Sequence, residues 1–130
     1  MKRINIQIPA DEAYDRLSVY QIKYNQAQDG KLKEKLAAQI IELENRIVKS
    51  LGHKTYQRII SSPEYTLLYD ANWVIFKTID DIKNDPEKKM KAWELDLLNT
   101  RRSAAKRNLF GKFCGGESEE VKIKDGKAIN

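Results

Sequence analysis

Residues 85–110, DPEKKMKAWELDLLNTRRSAAKRNLF, constrain this chain more than any other stretch. On a helical wheel of ~100° per residue, Met90, Trp93, Leu97, Leu98, Ala104, Ala105 and Leu109 spread across one broad face, which predicts a long amphipathic helix. Arg101 falls near the middle of that face, with Glu94 and Asn108 close by, and Arg102 and Lys106 lie towards its edge beyond Leu98. A guanidinium centred on an apolar face needs a partner, because a buried unpaired charge is strongly destabilising. The expected architecture is therefore a bundle whose other helices bring polar groups to Arg101.

The rest of the chain supplies such helices. Residues 3–8, RINIQI, alternate polar and apolar positions, the signature of a short strand ended by Pro9. PADE then opens a helix over about residues 10–28, its acidic residues suiting the positive end of the helix dipole, with Ala13, Leu17, Tyr20, Tyr24 and Ala27 in one stripe. Asp29-Gly30 breaks it, and a second helix reaches residue 51 with Leu32, Leu36, Ile40, Leu43, Ile47 and Leu51 facing inward, flanked by Ala37, Ile41 and Val48. So short a break makes the two an antiparallel hairpin. Gly52 stops the second helix, and residues 53–62 read as a connection with a helical turn in TYQRII.

Ser62-Pro63-Glu64 starts a third helix, a capping hydroxyl followed by proline at the first helical position. It should run to about residue 83, with Leu67, Leu68, Ala71, Val74, Ile75, Ile79 and Ile82 inward and Tyr69, Trp73 and Phe76 gathered opposite, a candidate partner-binding face for a homodimer. Asp85, held out of helical geometry by Pro86, caps the fourth helix, which Gly111 ends. The reading is mainly α: four helices as two antiparallel hairpins in a bundle-like domain over residues 1–112, after a short N-terminal strand. Residues 113–130 form a Gly-rich, charged tail in which VKIKDGKAI, around Asp-Gly, reads either as a hairpin or strand pairing with RINIQI or as disorder.

Charge and cysteine usage narrow the function classes. The net charge of +5 lies wholly between residues 83 and 112, which hold nine Lys/Arg against four Asp/Glu, while the remainder is balanced at fifteen of each. A basic stripe of this kind suits nucleic acid, anionic lipid or a phosphorylated ligand, or is simply a solvated helix face. No apolar run approaches the ~18 residues of a membrane span, the N-terminus does not read as a signal peptide, and Cys114 stands alone, so a reducing, cytoplasmic setting is expected.

Several residues are placed to answer Arg101. Glu44 lies within the second helix's stripe, Asn72 and Asp81 flank the core face of the third, and Asp15 and Lys23 belong to one row of the first. With Arg102 and Lys106 they make a candidate polar pocket for an anionic small molecule; the plainer reading is a buried salt-bridge network that fixes helix register. One His and one Cys in unrelated segments leave no nucleophilic triad and no His/Cys zinc site, and neither Glu42/Glu44 nor Asp80/Asp81 has the spacing of a helical carboxylate metal site. No metal or cofactor is expected. Electrostatic catalysis around a dianion, in the manner of chorismate-mutase-like bundles, would use Arg101, Lys23 and Glu44, though the segment patterns differ from that family.

The segments DRLSVYQIK, NWVIFKTIDDIK and LNTRRSAAKRNLF, in this order and at these intervals, resemble a family of small, mainly helical bacterial and phage proteins catalogued as a domain of unknown function, often encoded near glycosyltransferase and surface-polysaccharide genes. The likeness spans about residues 6–113. Its pattern falls on Asp15, Ile22 and Lys23, on Asn72, Ile79, Asp81 and Ile82, and on Asn99, Arg101, Arg102 and Lys106; Gln21 and Phe76 depart from the glutamate and tryptophan usual in the family. The resemblance implies a link to surface-polysaccharide metabolism or phage biology and carries no activity. The sequence thus favours a noncatalytic binding or accessory protein; the alternatives are a small enzyme or sensor holding an anionic metabolite at Arg101, and nonspecific nucleic-acid binding through residues 83–112.

Overall fold

The computed structural model describes residues 5–85, 92–113 and 120–124. Strand β1 (Asn5–Pro9) leads into α1 (Ala10–Gln26), α2 (Gly30–Leu51), α3 (His53–Ile60), α4 (Pro63–Asn84), α5 (Ala92–Phe113) and β2 (Glu120–Lys124). The fold is mainly α, with five packed helices among the described residues where the sequence predicts four. The additional one is α3, expected only as a connection with a helical turn. Eight residues are too few for a stable helix in water, so burial of Tyr56 and Ile59, three positions apart on one side, supplies what propensity lacks.

Gly52 makes the α2–α3 junction possible. Its φ of 90° and ψ of 153° lie in a region essentially reserved for glycine, and this one residue both ends α2 and precedes α3. Asp29 caps α2 by accepting from the Lys31 amide at 3.1 Å. Ser62 caps α4 by accepting from the Tyr65 amide at 3.1 Å, with Pro63 at the first helical position. β1 and β2 lie antiparallel, Ile8 opposite Val121.

The central element is α1, which packs against α2, α4 and α5. Tyr14, Leu17 and Tyr20 lie in the core with Leu36, Leu43 and Ile47 of α2, Tyr65 and Leu68 of α4, and Ala105 and Leu109 of α5. The Tyr14 ring is stacked on Tyr56 at 6.4 Å and meets Tyr65 edge-on at 6.2 Å, so three tyrosines from three helices fill one region of the core.

The rotation of α5 corrects the expected wheel. Leu109 is 2% exposed and Ala105 is buried, whereas Leu97 is 62% exposed and Trp93 and Arg101 also face outward. Leu98, Arg102, Ala105 and Leu109 form the packed row, so the inner face keeps one side of the predicted one and is centred towards Arg102 rather than Arg101. Apolar residues stand on nearly every side of α5, and their distribution alone cannot fix its rotation; pairing of Arg102 and Lys106 with acids of α1 does. Arg101 consequently needs no buried partner. Leu32, Ile41, Leu67 and Ile79, also expected inward, are exposed, because stripes that wide extend beyond what the neighbouring helices cover. Among the described residues, no helix is long and apolar enough to cross a membrane.

Candidate functional site

The Asp15 carboxylate, 1% exposed, is the most deeply buried charge in the core. It sits on the second turn of α1 and is met from two directions. From α5, Arg102 clasps it with both branches: Nε donates to Oδ1 at 3.1 Å and Nη2 donates to Oδ2. From α4, Asn72 Nδ2 donates to Asp15 Oδ1 at 2.8 Å and to Ser18 Oγ at 2.8 Å, while the Ser18 hydroxyl donates to the Asp15 carbonyl at 2.7 Å. The hydrogen bonds that Arg102 donates to Asp15 hold its pKa above the ordinary value despite partial burial. A bidentate pair with a further neutral donor is what an ion pair needs to be tolerated away from water.

One turn away, Lys106 Nζ donates to Glu12 Oε2 at 2.7 Å, and Glu12 Oε1 accepts from Arg16 Nε at 3.3 Å. Near the far end of α5, Lys112 bonds Glu64 at 2.7 Å and draws that carboxyl below its usual range. Three of the basic residues of α5 are therefore engaged by acids of α1 and α4, while Arg101 and Arg107 face outward. Three of the nine basic residues between 83 and 112 are thus tied to acids within the bundle.

The other candidate residues are dispersed. Glu44 accepts a short hydrogen bond from the Tyr56 hydroxyl, whose pKa is raised by burial first and by Glu44 second. Asp81 pairs along its own helix with Lys77 at 3.7 Å. The Tyr69 hydroxyl accepts from Asn25 at 3.2 Å, and Trp73 stacks on Phe76 at 6.1 Å. Half-buried and partly committed within the chain, this trio is less open than the sequence suggested. Gln21 accepts from the Tyr65 hydroxyl at 2.7 Å.

Lys23 leads to open space. It is exposed and lines two adjacent cavities, of about 340 and 320 Å³, whose walls share Lys23 and Tyr20. The smaller lies over Glu12, Asp15, Arg16 and Arg102; the larger lies between α1, α2 and α4, walled by Ala27, Leu32, Leu36 and Phe76 and bearing a second cation, Lys35. Neither Lys23 nor Lys35 has an ion pair among the described residues. Tyr20, between the two cavities, is 5% exposed, and its buried hydroxyl has no hydrogen-bond partner among the described residues. Burial pushes its pKa up to about 12, Arg16 opposing the rise.

Of the eight predicted pocket residues, the fold brings Asp15, Asn72, Arg102 and Lys106 to one interface, sets Lys23 at the cleft beside it, and separates Glu44, Asp81 and Arg101. Ser18, Glu12, Arg16 and Tyr20 were not among those predicted. Ser18 and Glu12 lie three residues either side of Asp15, a helical spacing that would have pointed to both. No group of three His, Cys, Asp or Glu residues among those described is placed to hold a metal ion. No family model, curated protein or solved structure matches the chain.

Proposed function

We propose that this protein is a noncatalytic binding module that takes up a small anion in the cleft along α1. The observation that carries this reading is the Lys23 ammonium, exposed in the wall shared by two cavities and without an ion pair among the described residues. Catalysis has less support: Asp15 and Glu12, the carboxylates on this cleft, are already engaged by Arg102, Asn72, Lys106 and Arg16. The anion site is drawn at Lys23 rather than Arg101, which lies outside the bundle.

The test is a thermal-shift screen of inorganic phosphate, simple carboxylates and nucleotide sugars, the last chosen for the resemblance to proteins encoded near surface-polysaccharide genes. A ligand at ten times its Kd stabilises the fold by about 1.4 kcal/mol, which raises Tm by on the order of 5 °C. That rise should vanish in Lys23→Gln and persist in Arg101→Met, both at exposed positions. A screen in which no anion raises Tm overturns the proposal, as does a rise that Lys23→Gln leaves unchanged.

A further inference from the structure

The two cavities differ in chemistry, and the larger carries the stronger specification of an occupant. Among the described residues its wall holds two ammonium groups, Lys23 and Lys35, and no carboxylate. A cationic ligand would meet only repulsion there. The remainder of the wall is mostly hydrocarbon and ring: Leu32, Leu36, Phe76 and the body of Tyr20. Leu32 is 47% exposed, so apolar surface on α2 stands open beside the two lysines. The volume of about 340 Å³ lies at the small end of the range for small-molecule sites, ~300–1,000 Å³. A sugar would need several polar groups to read its hydroxyls, and this wall adds only the amides of Gln26 and Gln39.

We infer that the occupant of this cleft is an aryl carboxylate of one or two rings, its flat apolar body against Phe76, Leu32 and Leu36 and its negative charge answered by Lys23 and Lys35. This rests on the anion-binding reading of the cleft and adds the class of anion. Ring burial supplies most of the affinity, since an exposed ammonium alone holds an anion weakly in water. The charged head supplies the discrimination against neutral aromatics.

The experiment is isothermal titration of the full chain with 1-naphthoate, its neutral counterpart 1-naphthamide, inorganic phosphate and a nucleotide sugar. Naphthoate should bind at least about tenfold more tightly than each of the others, a difference of about 1.4 kcal/mol. Lys35→Gln should remove most of the advantage over naphthamide, and Leu36→Ala, at the apolar wall, should weaken both aromatic probes together. Tighter binding of phosphate or the nucleotide sugar than of naphthoate, lost in Lys23→Gln, overturns the aryl inference and leaves the anion site standing. Equal binding of naphthoate and naphthamide, unaffected by either lysine substitution, overturns both.

Discussion

At the scale of single residues, neighbouring arginines on α5 have opposite physical situations. Arg102 is one of two side chains that donate to the buried Asp15 carboxylate, whereas Arg101 is exposed. Arg102→Met would leave that carboxylate with Asn72 as its remaining side-chain donor and should cost about 3 kcal/mol of unfolding free energy. Arg101→Met should change it by less than about 0.5 kcal/mol. Urea denaturation of the two variants checks the contrast; equal effects would mean that the face of α5 towards α1 is not the one bearing Arg102. Tyr20 invites a different substitution. Tyr20→Phe removes a buried hydroxyl that has no partner among the described residues, so stability should hold or rise slightly. A clear loss of stability on urea denaturation would mean that the hydroxyl is bonded in the folded protein.

At the scale of elements, most helix ends were legible and helix rotation was not; Gly111, expected to end the last helix, lies within α5, which runs on to Phe113, and the start expected at Pro86 lies outside the described residues. Asp29, Gly52, Ser62 and Pro63 act locally, within a turn of where they stand, and each appears where the sequence placed it. The strictly spaced stripe of α2 likewise identified Leu36, Leu43 and Ile47 as core. Rotation of α5 depended on Asp15 and Glu12, more than 85 positions earlier, and no local pattern carries that information. Hence the site was half legible. The fold gathers Asp15, Asn72, Arg102 and Lys106, which the sequence had grouped, but the charge assigned to the core was one residue away from the one that occupies it. The α2–α3 junction gives the sharpest test of a local device. A Cβ on Gly52 would meet nothing within 4 Å, so the penalty for Gly52→Ala arises from backbone conformation alone. It should cost about 1–3 kcal/mol, measured by thermal or urea unfolding, while nearby Lys49, itself exposed, should accept alanine with little change. A neutral Gly52→Ala would show that the junction can adopt a φ below zero.

At the scale of the whole molecule, cohesion is graded outward from α1. That helix buries eight residues, while on α5 only Ala105 and Leu109 are buried among the described side chains, and much of its attachment is ionic. The first turns of α5, where Trp93, Leu95 and Leu97 are exposed, should exchange their amide hydrogens well before those of α1, which should open only with global unfolding. The far end of α5 is tied to the start of α4 by Lys112 and Glu64, and that tie has a pH signature. Lys112 lowers the Glu64 pKa in the folded state, so the contribution is present above the ordinary carboxylate range and is lost as pH falls through the folded-state value. An NMR titration should place the Glu64 carboxyl midpoint below that range, and Lys112→Gln should return it towards the ordinary value. Because the pair is partly solvated, high salt should have the same effect as the substitution in kind and less in degree. A Glu64 midpoint indifferent to both would mean that α5 is held at this end by Leu109 and Phe113 packing alone, and the ionic seam would then be confined to Glu12 and Asp15.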